Sequence, residues 1–413
     1  MQLDTKIQKL LDQAAEFFQN AVKEEIPLEE VFAPLLGKKI SDKQLNFIQN
    51  AEKGMQILVS LCGAKFSKTY LQKQLPEVYN ISIGPQKGLD LNKKLYQIYE
   101  SFQNWQKELT VYFPVEHIIV TENQPVTLGP VSFWNFQDLI KDKEKSDLFN
   151  EMIQAPACSN IRTVAGYSMV ADLQKTKEIG KQIVIDVLNV IQYANLLGYV
   201  QHQTPQYLLT EQSRPRQAVS FCSNESSINV LELFRVGSVL DLSLPFNENI
   251  QKKWDSCFGD EAIKIMMSSS HSPIEDRLSN AIVWYAFAER EDNKALALVY
   301  YTIAIESLLT ILGSGVPTAE KISDIIAFIV GKDVIARMSI KDFCKKIYRL
   351  RSTIAHGKAD NISQQDVEMQ RYFSAELIKF FFSKINEFHN DEDFAKYFET
   401  LKFSLPQDLK GEA

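Results

Sequence analysis

Residues 343–357 read Phe343-Cys-Lys-Lys-Ile-Tyr-Arg-Leu-Arg-Ser-Thr-Ile-Ala-His-Gly357. At about 100° per residue, the regularly spaced apolar side chains of this run fall on one stripe: Phe343, Ile347, Leu350 and Ile354. Such a stripe predicts an amphipathic helix that buries one face. Gly357 follows directly, and glycine suits the left-handed turn that ends helices. The run therefore predicts one helix of an all-α bundle, with His356 as its last residue.

The same spacing recurs through the last third of the chain. Apolar residues at intervals of three and four predict further helices, near residues 278–285, 296–309, 322–329 and 363–388. Glycines follow three of the predicted helices, and a serine-rich loop precedes the first. We therefore predict a bundle of about five helices at residues 271–395, followed by a C-terminal tail at residues 396–413.

The rest of the chain predicts two other segments. Residues 1–110 carry helical periodicity, with a last helix near residues 91–109. Residues 111–270 contain short β-branched and aromatic runs, which predict strands at 111–136, 206–209, 217–222, 228–234 and 238–242, with a helix at 180–197. The predicted fold class is α+β multidomain, with a helical N-terminal segment, a middle domain of antiparallel strands and the C-terminal helical bundle.

Composition limits the classes of function. The net charge of −7 argues against a protein that coats nucleic acid in general. The five cysteines are scattered and form no C-x-x-C pair, so neither a zinc ribbon nor a disulfide framework is expected. No pair of histidines has a ligand spacing, and we expect no metal and no cofactor. The sequence at Met1 lacks an apolar leader, and we expect a cytoplasmic protein with no membrane partner.

Arg351 and His356 are the candidate catalytic pair. Arginine is a permanent cation that binds phosphate, and histidine titrates near neutrality, so together they suit cleavage of a phosphodiester. Ser352 follows the arginine and is a candidate to bind a phosphate or orient the histidine. Two other interpretations stand: a histidine at a helix end often serves only as a partner of the helix dipole, and Ser352 is equally an ordinary exposed hydroxyl.

Basic residues concentrate around this pair. Between Lys332 and Lys358 there are eight basic and two acidic residues, a local charge of +6. Four of the basic residues form the predicted RNA-binding face: Lys345, Lys346, Arg349 and Lys358. A local basic face on an acidic protein fits a phosphate backbone held at one site. A solvated helix face balanced by acids elsewhere explains the same count.

The order of segments resembles that of ApeA-like HEPN domains. In these domains an "hxxhxhExLh" helix (h, apolar) precedes a loop, another helix and then "hY-x-x-R-x-x-h-x-H-G". The positions that match carry this resemblance, over roughly residues 272–390: Ile303, Glu306, Leu308, Ile347, Tyr348, Arg351, Ile354, His356 and Gly357. The strand-rich region near residues 113–133 is loosely similar to N-terminal domains that accompany such bundles in prokaryotic defence proteins.

The resemblance implies a metal-independent ribonuclease. Members of the family form homodimers in which two Arg-x4-His motifs line one cleft. His356 would then exchange protons and Arg351 would stabilise charge on the phosphoryl oxygens, leaving 2′,3′-cyclic phosphate and 5′-hydroxyl ends. Glu306 would hold Arg351, with Tyr348 as a supporting residue; a helix-surface carboxylate is the other interpretation of Glu306.

The implied biology is antiviral defence. A toxic endonuclease of this kind would act in abortive infection, with RNA as substrate, a second copy as partner, and a phage-derived trigger or partner protein sensed by the N-terminal region. A catalytically silent HEPN bundle that only dimerises or binds a partner is the alternative function. A nucleotidyl-modifying transferase is a third, but the clustered carboxylates or glycine-rich loop that it needs are not found in the sequence.

Overall fold

Fourteen helices and eight strands make up the part of the chain that the computed structural model describes. That part comprises residues 5–22, 42–73, 89–141, 161–198, 206–209, 217–223, 228–235, 241–309, 319–357 and 362–403. It is mostly helical with a small, largely antiparallel sheet, so the predicted α+β class is confirmed at this level. Lys358 and the first part of the strand predicted at residues 238–242 lie outside the described residues.

The chain divides into two compact units. The first is formed by two separate stretches, Met1–Val111 and Tyr167–Lys181, and the second by Tyr112–Gly166 and Gln182–Ala413. The four segments expected from the sequence, with boundaries after residues 110, 270 and 395, stay a prediction.

Helices dominate the first unit: α1 (Thr5–Val22), α2 (Asp42–Cys62), α3 (Lys68–Lys73) and α4 (Leu89–Asn104). Their apolar faces bury one common core, which includes Leu11, Phe18, Leu58, Phe66 and Leu95. The prediction that the last helix reaches Leu109 is wrong, because strand β1 (Glu108–Val115) already contains that residue. β-Branched and aromatic residues follow Leu109, and they favour extended backbone over helix.

Strands β3 (Val126–Leu128), β4 (Val131–Asn135) and β5 (Thr163–Val170) join β1 in a four-stranded sheet of order β1-β5-β4-β3. The β3–β4 and β4–β5 pairs are antiparallel, as predicted. β6 (Gln217–Ser223) and β7 (Ile228–Arg235) form a separate antiparallel pair.

Two details of the strands differ from the prediction. β2 (Ile118–Val120) pairs in parallel with β8 (Leu242–Leu244), so the strands are not all antiparallel. This register joins residues over 120 positions apart, which local patterning does not specify. The strand predicted at residues 206–209 is a single bridge between Leu209 and Val115.

Helix α5 (Phe136–Lys141) follows β4, and α6 (Leu173–Ala194) follows β5. Helix α6 begins seven residues before the predicted Gly180. The cause is Asp172, whose carboxylate accepts hydrogen bonds from the backbone N–H groups of Gln174 and Lys175 and so caps the helix at an earlier point.

Eight helices follow β8 along the described chain: α7 (Glu248–Ser256), α8 (Gly259–Met267), α9 (Pro273–Arg290), α10 (Lys294–Leu309), α11 (Ala319–Val330), α12 (Val334–Ala355), α13 (Gln364–Ser383) and α14 (Asp391–Phe403). Capping boxes at Ser272 and Ser363 start α9 and α13. Helix α14 continues past residue 396, where the sequence suggested the start of a tail.

Helix α10 packs against α9 and α13, and α12 packs chiefly against α11. One buried ion pair joins three of these helices. Both carboxylate oxygens of Glu289 accept hydrogen bonds from the Arg371 guanidinium, and the Tyr301 hydroxyl donates to the same carboxylate at 2.8 Å. α9, α10 and α13 are therefore fixed to one another by charge as well as by apolar packing.

Candidate active site

Both candidate catalytic residues belong to the last turns of α12. The helix starts after Asp333, whose side chain accepts a hydrogen bond from the Ala336 N–H at 2.8 Å. It ends at the C-cap residue His356, and Gly357 adopts the left-handed conformation with φ +75°. The helix end that the sequence predicts is thus the one that the structure shows.

The buried stripe of α12 is narrower than predicted. Cys344 and Ile347 are its buried residues, whereas Phe343, Leu350 and Ile354 are only half-buried. Because α12 packs mainly against one neighbour, α11, most of its surface is not covered by other described elements. The end of this helix is therefore accessible on more than one side.

Arg351 is joined to Glu306 on α10. A terminal nitrogen of its guanidinium donates to a Glu306 carboxylate oxygen at 3.0 Å. The side chain of Glu306 is 17% exposed and that of Arg351 is 40% exposed, so the carboxylate is the more deeply held partner. The contact is a single hydrogen bond rather than the bidentate pair expected from the sequence.

Tyr348, three residues before Arg351, lies beside the same carboxylate. Burial raises the pKa of Glu306, and the neighbouring Arg351 charge and Tyr348 hydroxyl oppose that rise. Burial and the Glu306 charge likewise raise the pKa of Tyr348, so its hydroxyl stays neutral. Glu306 thus holds the Arg351 guanidinium from one side, while the Arg351 side chain stays 40% exposed to solvent.

His356 lies on another side of the helix end. Five residues of helix separate it from Arg351, which is about 140° of rotation and about 7.5 Å of rise. The side chain is exposed, and none of the hydrogen bonds that the structure gives for the described residues involves its imidazole ring. The chain therefore holds the Arg351 side chain from the α10 side and exposes His356 on another side of the helix end.

A polar stripe leads along the helix to His356. At α-helical spacing, Lys345, Arg349 and Ser352 lie within about 40° of His356 around the axis, and the stripe is about 16 Å long. Lys345 is half-buried and the other three are exposed. Residues 345–356 contain no acidic side chain. A chain of phosphates laid along this stripe would therefore meet cations and hydrogen-bond donors without a repelling carboxylate.

Lys346 behaves differently from Lys345. Its ammonium group pairs with the carboxylate of Asp366, which is 4% exposed and lies in the first turn of α13. Hydrogen bonds from the Lys346 ammonium and from Ser363 lower the pKa of Asp366 against the opposing effect of burial. Lys346 thus joins α12 to α13, and its predicted RNA-binding role stays a prediction. Sequence reasoning missed Asp366, although the capping-box spacing Ser363-x-x-Asp366 was the available signal.

The described residues contain neither a metal-binding group of side chains nor a helix that could span a membrane. No group of three or more His, Cys, Asp or Glu side chains is arranged to hold a metal ion within the ranges given above. Among the helices described, none has the length and apolar character needed to cross a bilayer.

Comparisons with known proteins add no relative. The chain matches no known family, no curated protein and no solved structure.

Proposed function

We propose that this protein is a metal-independent RNA endonuclease with a HEPN-type C-terminal bundle. One observation carries the proposal: Arg351, held by Glu306, lies one turn before a helix end that presents His356 to solvent. This arrangement keeps a permanent cation and a titratable ring at the same end of one helix. Both groups are the types that phosphodiester cleavage at neutral pH needs.

The proposed reaction is an internal transesterification. The imidazole of His356 takes the proton of a ribose 2′-hydroxyl, and the 2′-oxygen attacks the adjacent phosphorus. The bond from phosphorus to the 5′-oxygen breaks, and an imidazolium protonates that leaving oxygen. Arg351 stabilises the charge on the non-bridging phosphoryl oxygens. The products are a 2′,3′-cyclic phosphate and a 5′-hydroxyl, and DNA is no substrate because it lacks the 2′-hydroxyl.

Two copies of the chain complete the proposed site. Because Arg351 and His356 leave the helix about 140° apart, a second protomer is the natural source of the other proton-transfer group. The stripe of Lys345, Arg349 and Ser352 would guide the RNA backbone toward His356. We propose a homodimer formed through the bundle.

The proposed biological setting is abortive infection against phage. The acidic net charge of −7 fits an enzyme that must not engage all RNA at all times. In this setting the protein acts in the cytoplasm, as a toxic effector that the N-terminal region keeps inactive until it binds a phage-derived trigger or partner protein.

A second candidate function is a silent bundle that dimerises or binds a partner without turnover. The ion pair with Glu306 favours it, because a guanidinium already held by a carboxylate has less charge to offer to a phosphate. The two candidate functions predict different effects of Arg351→Lys. A binding role tolerates this substitution, whereas bidentate stabilisation of a phosphoryl group does not.

The test is RNA cleavage by the full chain in EDTA, with short mixed RNAs and total tRNA as substrates and with the product ends mapped. We expect cyclic phosphate ends, and a loss of at least about 100-fold in rate for His356→Ala and for Arg351→Ala. His389→Ala is the matched control, because His389 is an exposed histidine outside the site. Cleavage that survives His356→Ala would overturn the assignment. If the wild-type chain gives no cleavage, the same variants are compared in cells challenged with phage. Loss of protection in both is then the expected result, and protection that both retain counts against the proposal.

A further inference from the structure

A cavity of about 450 Å³ opens on the first compact unit, and none of its lining residues takes part in the proposed ribonuclease chemistry. Its walls come from α4, from α3 and from the turn before α3: Phe66, Tyr70, Gln97, Ile98, Ser101 and Asn104. The volume lies within the range of small-molecule sites, about 300–1,000 Å³. It is large enough for one bicyclic ring system with a sugar-sized substituent.

The inner wall is aromatic. The ring centroid of Phe66 lies 4.6 Å from that of Tyr70 and 5.4 Å from that of Trp105. Phe66 and Ile98 are buried, so the apolar part of the wall is continuous with the core of the unit. Trp105 packs edge-on against Phe66 and supports this wall from outside the cavity lining. The wall therefore offers an apolar, aromatic surface to a planar ligand.

The rim is polar and balanced in charge. Gln97, Ser101 and Asn104 follow one another at intervals of four and three along α4, which places two carboxamides and a hydroxyl on one face. Each carboxamide offers donors and an acceptor side by side, as the edge of a nucleobase does. One lysine, Lys94, and one glutamate, Glu100, complete the rim, so no net charge selects an ionic ligand.

Both walls are fixed before any ligand arrives. The Lys65 ammonium donates to the carbonyl oxygens of Phe102 and Trp105, at 3.3 and 3.1 Å, and so holds the end of α4. On the other side, the Tyr70 N–H donates to the Ser67 hydroxyl oxygen at 3.0 Å, and that hydroxyl donates to the buried Asp172 at 3.1 Å. A site with preformed walls loses little entropy on binding.

We propose that this cavity binds a neutral planar heteroaromatic molecule of the nucleoside class. The ring would lie against the half-buried Tyr70, with the buried Phe66 beneath, because bases stack on aromatic side chains. The edge of the base would form hydrogen bonds with the carboxamides of Gln97 and Asn104. This assignment goes beyond the ribonuclease proposal: it gives the first unit a ligand of its own, and it holds or fails independently of RNA cleavage.

The test is calorimetric titration of the full chain with adenosine, guanosine, cytidine and uridine, without RNA and with EDTA. We expect at least one nucleoside to bind with a Kd on the order of 100 µM, the affinity typical of a ligand with about 20 non-hydrogen atoms. Gln97→Ala and Asn104→Ala should each weaken binding about tenfold, and Gln97→Trp, which fills the cavity, should abolish it.

Gln106→Ala is the matched control, since Gln106 is an exposed glutamine near the same helix end but not part of the cavity. Circular dichroism of every variant checks that α4 remains folded. The absence of heat with all four nucleosides overturns the proposal, and so does binding that persists in a folded Gln97→Trp variant.

Discussion

Replacement of Arg351 by alanine offers the sharpest test of the site geometry, because it separates a structural cost from a catalytic one. The substitution removes the ion pair that Arg351 forms with the Glu306 carboxylate, which is 17% exposed. A half-buried charge that loses its partner destabilises the fold more than the loss of an exposed ion pair would. Arg351→Ala should therefore weaken α12 locally, in addition to the loss of RNA cleavage that the proposed function predicts.

The magnitude follows from the exposure of the two side chains. Fully exposed ion pairs contribute about 0–1 kcal/mol, and breaking a fully buried one costs about 3–5 kcal/mol. Glu306 lies nearer the buried limit, whereas Arg351, at 40% exposed, lies nearer the exposed limit. The expected cost is about 2 kcal/mol, which is a roughly 30-fold increase in the population of the open helix.

The pH dependence of this cost has a defined sign. Burial raises the pKa of Glu306, and Arg351 opposes that rise, so its removal raises the pKa further. A carboxyl whose pKa is higher in the folded than in the unfolded state binds protons on folding, and its destabilising effect disappears as the pH falls through the folded pKa. The cost of Arg351→Ala should therefore be smaller near the ordinary glutamate pKa of about 4.3 than at about pH 7.

Hydrogen exchange of peptides from α12, followed by mass spectrometry, measures this cost at both pH values. Arg349→Ala is the matched control: Arg349 is an arginine on the same helix but exposed, and we expect a change within about 0.5 kcal/mol. Equal protection in Arg351→Ala and Arg349→Ala would refute the account of the Glu306 pair. So would a cost for Arg351→Ala that grows as the pH falls.

Two further predictions concern contacts outside the site. Burial lowers the pKa of His271, but its hydrogen bonds to Asp276 and to the Ile265 carbonyl raise it on balance. The stability that the His271 imidazolium contributes is present below about pH 6.5 and is lost as the pH rises through the folded pKa. His271→Ala should therefore remove this part of the pH dependence of hydrogen exchange in α9. A His271→Ala variant that keeps the same pH dependence contradicts the assignment. Glu289→Ala should cost about 3 kcal/mol in urea unfolding because it removes two hydrogen bonds from the buried Arg371 guanidinium, whose ion pair with Glu368 remains, whereas replacing both Glu289 and Arg371 with apolar residues should recover most of the loss. A single variant that costs less than about 1 kcal/mol would show that the pair is not fully buried.

Helix ends were the most predictable part of the fold, because their signals are local. Gly357 marks the end of α12 by the left-handed conformation that glycine tolerates best, and the structure gives it that conformation. The link between Arg351 and Glu306 was also anticipated, since both residues carry matched positions of the HEPN-like pattern. The number of hydrogen bonds in this link was not anticipated. It depends on how closely α10 and α12 approach each other, which periodicity does not specify.

Contacts between distant residues were missed. Glu289 and Arg371 are 82 residues apart, and nothing local distinguishes them from the other charged residues of their helices. The contact of Lys346 was also missed for this reason. Lys346 belongs to a basic run that looks uniform in sequence, but the fold turns it toward Asp366 and leaves Arg349 exposed. Each successive residue of a helix is rotated by about 100° around the axis. Neighbouring cations of a run therefore face different directions, and only some of them remain at the surface.

The first compact unit has a consequence for how this chain can be inherited and recombined. The unit is complete only with residues 167–181, which contribute Asp172 as the acceptor of a hydrogen bond from the Ser67 hydroxyl. A single crossover at residue 111 would therefore transfer α1 to α4 without the strand and helix start that complete them. An exchange of this unit between proteins needs two joints, or else the replacement of everything up to residue 181. The two compact units of this chain are therefore expected to be inherited together.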